Sequence, residues 1–580
     1  MRRLIPLALA LAAVTPMAAQ EGDRRAPAFT WDARDPRIGL RAGLHDAGEA
    51  AWNLRRVASV PKPDGFFNPA NPGDFAFATS DLAFRDQYLF QGNFHGFLIY
   101  DISNPRAPQL VSMTHCPGGQ GDLSVWGNLL FMSVEQTLGR ADCGTQGVQD
   151  TVSGERFRGI RIFDISDIRA PRQIGLVQTC RGSHTHTLVP HPEDDEIMYI
   201  YVSGTGGVRS PRELPGCSRL GPDEDPNTSL FRIEVIQVPL AAPQNARVIA
   251  EPRIFADSAG NIAGLWQGGD YGPGTQRSSR THQCHDITAY PAMGLAAGAC
   301  AGNGILLDIS NPANPVRIFE VADPNFAYWH SATFNNDAST VIYTDEWGGG
   351  TQPRCRETDP PTWGANANFR LENRRLELAG YYKLPVPQTS LENCVAHNGS
   401  VIPVPGRDLM VQAWYQGGLT IIDFTDPAHT TEVAFFDRGP VSDSAMVLSG
   451  FWSTYWYNGY MYGAEIARGV DVFQLTPSEH LSANEIAAAA AVQMDVFNSQ
   501  TQPHITWPAI PVVAHAYLDQ LARSQSLPRN RINQLRQMAD RGNATQRQQA
   551  ATQLERDAGS ASAVDARRMR GLAETLRGLP

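Results

Sequence analysis

Lysine is nearly missing from this sequence of 580 residues, where it occurs only at Lys62 and Lys383. With 48 basic residues against 59 acidic ones, the formal net charge is −11, which argues against nucleic acid as a partner. No apolar run reaches the ~20 residues that a transmembrane helix needs. The chain also lacks a C-x-x-C pair, a P-loop, a serine-nucleophile elbow and a Rossmann fingerprint in convincing context. We therefore expect no nucleic acid partner and no transmembrane segment, and we assign no catalytic residue.

The first residues have the parts of a secretory signal peptide, which we place at residues 1–19. Two arginines precede an apolar run from Leu4 to Val14, and small residues follow at Ala18 and Ala19. The eight cysteines are an even number in a chain with this leader, so we expect disulfides. The predicted location is secreted or periplasmic.

A short unit recurs along the chain and organises it. Each copy is a glycine, an apolar strand and a turn rich in Asp, Ser, Asn and Pro, residues suited to tight reversals. A unit of this size cannot bury its strands alone, so copies must pack on one another in a repeat architecture. The copies are GFLIYDISNPRAP at 96–108, GIRIFDISDIRAP at 159–171, GILLDISNPANP at 304–315, GLTIIDFTDPA at 418–428 and the degraded GVDVFQL at 469–475.

These units resemble the LVIVD-repeat family of secreted bacterial β-propellers, over residues 75–478. The resemblance implies an all-β fold, and matching the units predicts seven blades of short antiparallel strands, with six or eight still open. It implies little about activity, because propellers host many unrelated functions. The aspartates that end the repeated strands, Asp101, Asp164, Asp308 and Asp423, are predicted to be structural turn residues.

The segments on either side of the propeller differ from it in composition. Residues 20–74 lack strand periodicity, and we expect a partly ordered arm pinned by Trp31 and Trp52, or else a loose leader. Residues 479–580 are predicted to form a C-terminal α-helical appendage that opens with a capping box at Ser482 and Glu485. We expect the appendage to dock on the propeller through Trp507, Ile510 and Tyr517.

Aligning the first strands of the blades places one residue of each at an equivalent position. These residues should ring one mouth of the channel, because the first strand of a propeller blade is the innermost. Four of the seven are histidine, the commonest metal ligand, so the pattern predicts a site for a divalent transition metal, namely Fe, Cu or Zn. A polar ring that only fills the channel is the alternative. The seven positions are Asp81, Asp122, His186, His285, His330, His397 and Trp452.

Carboxylates near the ends of the second strands are candidates for holding the free N–H groups of the histidines. They are Glu135, Glu346 and Glu465, which could equally be turn residues facing solvent. His184, His191 and His282 fall out of register and are interpreted as surface or substrate-side histidines. The layout of the four aligned histidines is similar to the iron site of carotenoid-cleaving oxygenases. The rest of the sequence does not resemble that family.

The long insertions all fall in loops of one face, so they should roof the histidine mouth. They are residues 136–158, 205–229, 256–283 and 348–375. The cysteines lie in the loops of the same face, before first strands or after second strands. We expect neighbours to pair, as Cys116 with Cys143, Cys180 with Cys217, Cys284 with Cys300 and Cys355 with Cys394.

Two functional hypotheses follow. The first is an exported propeller with a four-histidine metal site that acts as a metal-dependent oxidoreductase on a small organic molecule. The second is a non-catalytic propeller that binds a component of the cell envelope or secretome. Bound metal in the purified protein separates the two.

Overall fold

The computed structural model describes residues 32–580, and its core is a seven-bladed β-propeller of antiparallel sheets. The strands of the seven blades are, in blade order, β3 to β6 (Thr79–Arg85, Tyr88–Asn93, Gly96–Asp101, Gln109–His115), β7 to β10 (Leu123–Trp126, Leu129–Val134, Gly159–Asp164, Arg172–Gln178), β11 to β14 (His186–Pro190, Ile197–Val202, Glu234–Pro239, Arg247–Ala250), β15 to β18 (Ile287–Tyr290, Leu295–Cys300, Asn303–Asp308, Val316–Val321), β19 to β22 (Trp329–Phe334, Thr340–Asp345, Asn366–Glu372, Arg375–Tyr382), β23 to β26 (Gly399–Ile402, Leu409–Ala413, Leu419–Asp423, Thr431–Arg438) and β27 to β29 (Phe451–Tyr457, Tyr460–Glu465, Gly469–Leu475). The predicted fold class is confirmed, with seven blades.

The repeated unit forms the third strand of its blade, and its aspartate begins the turn that leads to the fourth strand. In each of four blades the Asp side chain accepts a hydrogen bond from the backbone N–H two residues later, at 2.8 to 3.0 Å. Such an Asx turn reverses the chain locally. The turn role predicted for these aspartates is therefore present in the structure.

The arm before the propeller contains two strands that the sequence did not predict. β1 (Glu49–Trp52) pairs with β26 and widens the sixth sheet, and β2 (Leu54–Pro61) pairs with β29 as the outermost strand of blade 7. The ring is thus closed by an early segment that completes the last blade. Trp52 packs against Phe435 with ring centroids 6.0 Å apart, whereas Trp31 and the predicted signal peptide at 1–19 lie outside the described residues.

Residues 494–507 run around the face of the ring opposite the insertions and hydrogen-bond to all seven blades. This segment, which we call the ring segment, contains β30 (Val496–Asn498), paired with the inner edge of β3. Its side chains and backbone bond to the ends of first strands or to the turns after them. The contacts are Met494 with Asn458 of blade 7, Val496–Asn498 with β3 of blade 1, Asn498 with Val125 of blade 2, Thr501 with Leu188 of blade 3, Gln500 and Gln502 with Ala289 of blade 4, Gln502 with Phe334 of blade 5, and Trp507 with Pro403 of blade 6.

Five helices flank the ring segment in the sequence, within the region 479–580 that was predicted to be helical. They are α1 (Ala483–Ala490), α2 (Pro511–Arg523), α3 (Arg529–Arg541), α4 (Ala544–Ala558) and α5 (Ala563–Gly578). The predicted capping box opens α1, and the buried faces of the helices share one apolar core. This bundle docks on the turn between the first two strands of blade 6, where Gln520 donates to Pro405 O at 2.7 Å and Arg567 pairs with Asp408 at 2.9 Å.

All four predicted disulfides are present. The Cα atoms of the pairs lie 4.3 Å apart in Cys116–Cys143, 5.4 Å in Cys180–Cys217, 3.6 Å in Cys284–Cys300 and 5.5 Å in Cys355–Cys394. The insertion predicted at 348–375 is shorter, because β21 occupies residues 366–372. Between residues 32 and 580, no helix is both long and apolar enough to cross a membrane.

Candidate metal centre

Three of the predicted histidines lie side by side at one mouth of the channel, on neighbouring blades. The ring centroids of His285 and His330 are 3.9 Å apart, and those of His330 and His397 are 4.2 Å apart. All three are buried, since each is at most 6% exposed. The alignment of first strands therefore placed these three residues together as expected.

The fourth imidazole next to this row belongs to His184, which the alignment had set aside. Its Nε2 atom lies 2.7 Å from Nε2 of His285. His184 comes two residues before the first strand of its blade, as do His285 and His397. A shift of two residues keeps a side chain on the same face of a strand, so the His184-Thr185-His186 sequence fits two registers equally well.

His186 makes different contacts. Its Nδ1 atom lies 2.8 Å from Ser133 Oγ and 3.6 Å from an oxygen of Asp122. Asp122 is buried next to Asp81. The pKa of each carboxyl group is raised, and burial is the main cause. His186 thus lies between the histidine row and the acidic positions of blades 1 and 2.

The five histidines share one pattern of hydrogen bonding. In each, Nδ1 faces an oxygen atom: Glu135 at 2.7 Å for His184, Ser133 at 2.8 Å for His186, Asp286 at 2.8 Å for His285, Thr344 at 3.4 Å for His330 and the backbone oxygen of Trp452 for His397. In the part of the chain that the structure describes, Nε2 of His186, His330 and His397 is buried without a hydrogen-bond partner. Metal-binding histidines show this arrangement, in which the second nitrogen is held by an outer acceptor.

The contact between the Nε2 atoms of His184 and His285 requires a proton or a cation between the two rings. Because Nδ1 of each ring faces a carboxylate, it carries the hydrogen, and Nε2 of each ring is left with a lone pair. Two lone pairs that face each other at 2.7 Å repel unless a proton or a cation lies between them. The Gln120 amide, 2.6 Å from Nε2 of His184, can satisfy only that ring.

Glu346 supplies a carboxylate beside the row. Its oxygens lie 3.8 Å from Nε2 of His330 and 3.6 Å from Nε2 of His397, and Tyr415 donates to one of them at 2.7 Å. Ligand atoms of His285, His330 and Glu346 all lie within 4.8 Å of one another. Two ligands at 2.0–2.2 Å from one ion can be about 4.4 Å apart at most. These three residues could therefore hold a metal after small side-chain movements.

At His186, His330 and His397 the electrostatics favour the neutral imidazole, the form that binds metals. Burial lowers the pKa of His186 and of His397 to about 3 and lowers that of His330 well below its usual value. Burial also raises the pKa of Glu346 to about 7. For His184 burial acts to lower the pKa, but the Glu135 carboxylate outweighs it and the pKa is raised.

The three predicted outer carboxylates have three different surroundings. Glu135 holds His184, Glu346 faces two histidines directly, and Glu465 contacts none of the five. Instead, Glu465 forms an ion pair with Arg468 at 2.8 Å and accepts a hydrogen bond from Ser449. Glu465 therefore stabilises a turn of blade 7 rather than orienting an imidazole.

Solvent reaches the cluster from the side of the insertions. The side chains of His184 and Glu135 are 15% and 18% exposed, while those of His330 and His397 are 0% and 1% exposed. Thr205, at the start of one insertion, donates to Glu135 at 3.1 Å. The insertion at residues 205–229 thus borders the accessible corner of the site.

Fold and site together define a β-propeller with a buried histidine and carboxylate cluster at one mouth. The LVIVD-repeat family model matches the chain at residues 78–114 and 300–323, so LVIVD repeats occur at two places in a seven-bladed β-propeller with four disulfides. No curated protein matches it.

Two solved structures are similar over much of the chain. A protein from Lactobacillus plantarum has a TM-score of 0.37 and 9% identity, covering 63% of this chain and 85% of its own. The computationally designed Ika8 protein has a TM-score of 0.34 and 8% identity, covering 68% and 96%. Similarity at this level does not bear on function.

Proposed function

We propose that this propeller is an exported metalloprotein whose histidine cluster binds a divalent transition metal and serves as a metal-dependent oxidoreductase site for a small organic molecule. The observation that carries the proposal is the shared orientation of the imidazoles. Each offers Nε2 to a common, buried region while Nδ1 is held from behind. The Asp286 carboxylate and the Trp452 carbonyl fix the hydrogens of His285 and His397 on Nδ1, so that Nε2 keeps the lone pair that a metal ion takes.

The composition of the cluster favours iron among the candidate metals. His285, His330 and Glu346 make two histidines and one carboxylate, the ligand set of non-haem Fe(II) oxygenases. Bound there, iron would supply one-electron and O₂ chemistry. His397 and His184 adjoin this set, and Glu135, Asp286 and the Trp452 carbonyl would orient the imidazoles.

Export is supported by the disulfides and by the leader sequence. Four disulfides persist in an oxidising compartment and are rare in the cytosol. Cys284 precedes His285 directly and is bridged to Cys300, so oxidation of this pair also fixes the backbone next to a ligand.

The test is an inventory of bound metal. The protein is purified after expression with Fe, Cu and Zn each supplied, and metal is measured by mass spectrometry beside the double variant His285→Ala/His330→Ala. We expect near-stoichiometric iron in the wild type and none in the variant, which should keep the same disulfides and melt cooperatively in the presence of chelator.

The alternative function is a non-catalytic propeller that binds an envelope component. Absence of stoichiometric metal from the wild type under all three conditions would favour that alternative and reject the metal site. Retention of metal by the double variant would place the metal elsewhere.

A further inference from the structure

The ring segment reaches the histidine cluster from the opposite face of the propeller. Gln500 is 2% exposed and donates from Nε2 to Oδ2 of Asp286 at 3.1 Å. The other oxygen of Asp286, Oδ1, lies 2.8 Å from Nδ1 of His285. Both oxygens of this buried carboxylate are thus engaged, one by the candidate ligand and one by a residue more than two hundred positions later in the chain.

The backbone next to Gln500 is held in place independently of that side chain. The N–H of Ala289 donates to Gln500 O at 2.8 Å, and the N–H of Gln502 donates to Ala289 O at 2.8 Å. Thr501 donates to Leu188 O at 2.7 Å. Because first strands of two blades fix its backbone, the Gln500 amide is presented to Asp286 in a defined position.

We propose that Gln500 is a positioning residue for the metal site, and that metal binding and docking of the ring segment are coupled through the chain Gln500, Asp286, His285. This inference rests on the proposed metal function. Gln500 keeps the Asp286 carboxylate oriented towards Nδ1 of His285, and the imidazole then presents Nε2 to the metal. Outer residues that orient metal-binding histidines in this way contribute substantially to affinity.

Coupling follows because linkage is reciprocal. If the docked segment raises the affinity for metal, bound metal must stabilise the docked segment by the same factor. Metal would thus stabilise docking of the ring segment at the face remote from its own binding site. The appendage that follows the segment would be held more tightly in the metal-bound protein.

The chain offers a matched pair of variants. Gln500→Met and Gln502→Met both replace a buried or half-buried amide of the ring segment by a side chain of similar size. Gln502 bonds the backbone of Phe334 in blade 5, with contacts of 2.8 and 2.9 Å, and makes no hydrogen bond to Asp286. It therefore reports the effect of weaker docking alone.

The experiment uses the full-length protein with Fe(II) added anaerobically and Zn(II) as a redox-inert probe. Metal affinity is measured by calorimetric titration, and exchange of the amides of residues 494–507 is measured by mass spectrometry with and without metal. We expect Gln500→Met to weaken metal binding about tenfold, the lower end of outer-residue effects, and to lose the protection that metal confers on the segment. Gln502→Met should retain both wild-type affinity and metal-dependent protection.

Every outcome bears on the proposal. Equal affinities in the wild type and Gln500→Met would overturn it while leaving the metal site in place. Equal weakening in both variants would show that the segment acts only by docking and would overturn the positioning role. A wild type that binds neither ion would reject the metal site and this inference together.

Discussion

Replacing His330 by alanine tests the cluster most directly, through the stabilisation that metal gives to the folded protein. His330 is the middle ring of the row, fully buried, with Nε2 unpaired. Without metal, the change removes an unsatisfied polar group, worth about 1–3 kcal/mol, but leaves a cavity that costs a similar amount. The absolute stability of the metal-free variant is therefore a poor readout.

The gain in the free energy of unfolding on adding metal avoids this cancellation. A ligand at 1,000 times its Kd stabilises the folded state by about 4.1 kcal/mol. Loss of a direct ligand should weaken binding at least as much as the largest outer-residue effects, about 100-fold. At the same metal concentration the variant would then gain only about 1.4 kcal/mol.

The assay is urea unfolding with excess metal and with chelator, on the wild type, His330→Ala and the control His191→Ala. His191 lies in a turn of blade 3, where its Nδ1 accepts from the N–H of Glu193 at 3.1 Å. We expect this control to keep the full metal-dependent gain. An undiminished gain in His330→Ala would refute the assignment of the cluster. His186 contacts Ser133 and Asp122 instead, so His186→Ala should lose less of the metal-dependent gain in unfolding free energy than His330→Ala.

Three further perturbations have defined outcomes. Burial raises the pKa of Asp437 to about 8, above the value of about 4 in the unfolded chain. The contribution of this carboxyl group to stability is therefore full below pH 4 and is lost as the pH rises through 8. Between pH 5 and pH 9 the free energy of unfolding of the wild type, measured with urea, should therefore fall by roughly 2 kcal/mol or more beyond the fall seen for Asp437→Asn. Parallel pH profiles of the two proteins would contradict this. Removing the Cys284–Cys300 bridge, which closes a 16-residue separation, should cost about 3 kcal/mol and also weaken metal binding in calorimetry, whereas loss of the Cys116–Cys143 bridge should leave metal affinity unchanged. Deleting residues 525–580 should leave a soluble protein that melts cooperatively in calorimetry, because the ring segment remains; complete loss of folding would show that the helices are required.

Much of the architecture could be predicted from the sequence, because it is written in local signals. Glycine, an apolar strand and an Asp turn specify a hairpin wherever they occur, and their repetition requires stacked blades. The capping box at Ser482 and Glu485 specified the start of the first helix in the same way. Disulfide partners followed from the order of strands, since alternating strand direction decides which loops share a face.

The tertiary structure alone decided where chain segments without such a signal belong. Residues 49–61 have no strand periodicity, yet they form β1 and β2 because the outer edges of blades 6 and 7 offer them unpaired backbone groups. The sequence alone does not decide whether His184 or His186 packs beside His285. Side chains in a strand alternate with a period of two residues, so both registers present a histidine to the same face. The bond from Gln500 to Asp286 joins positions far apart in the chain, and only closure of the ring brings them within reach.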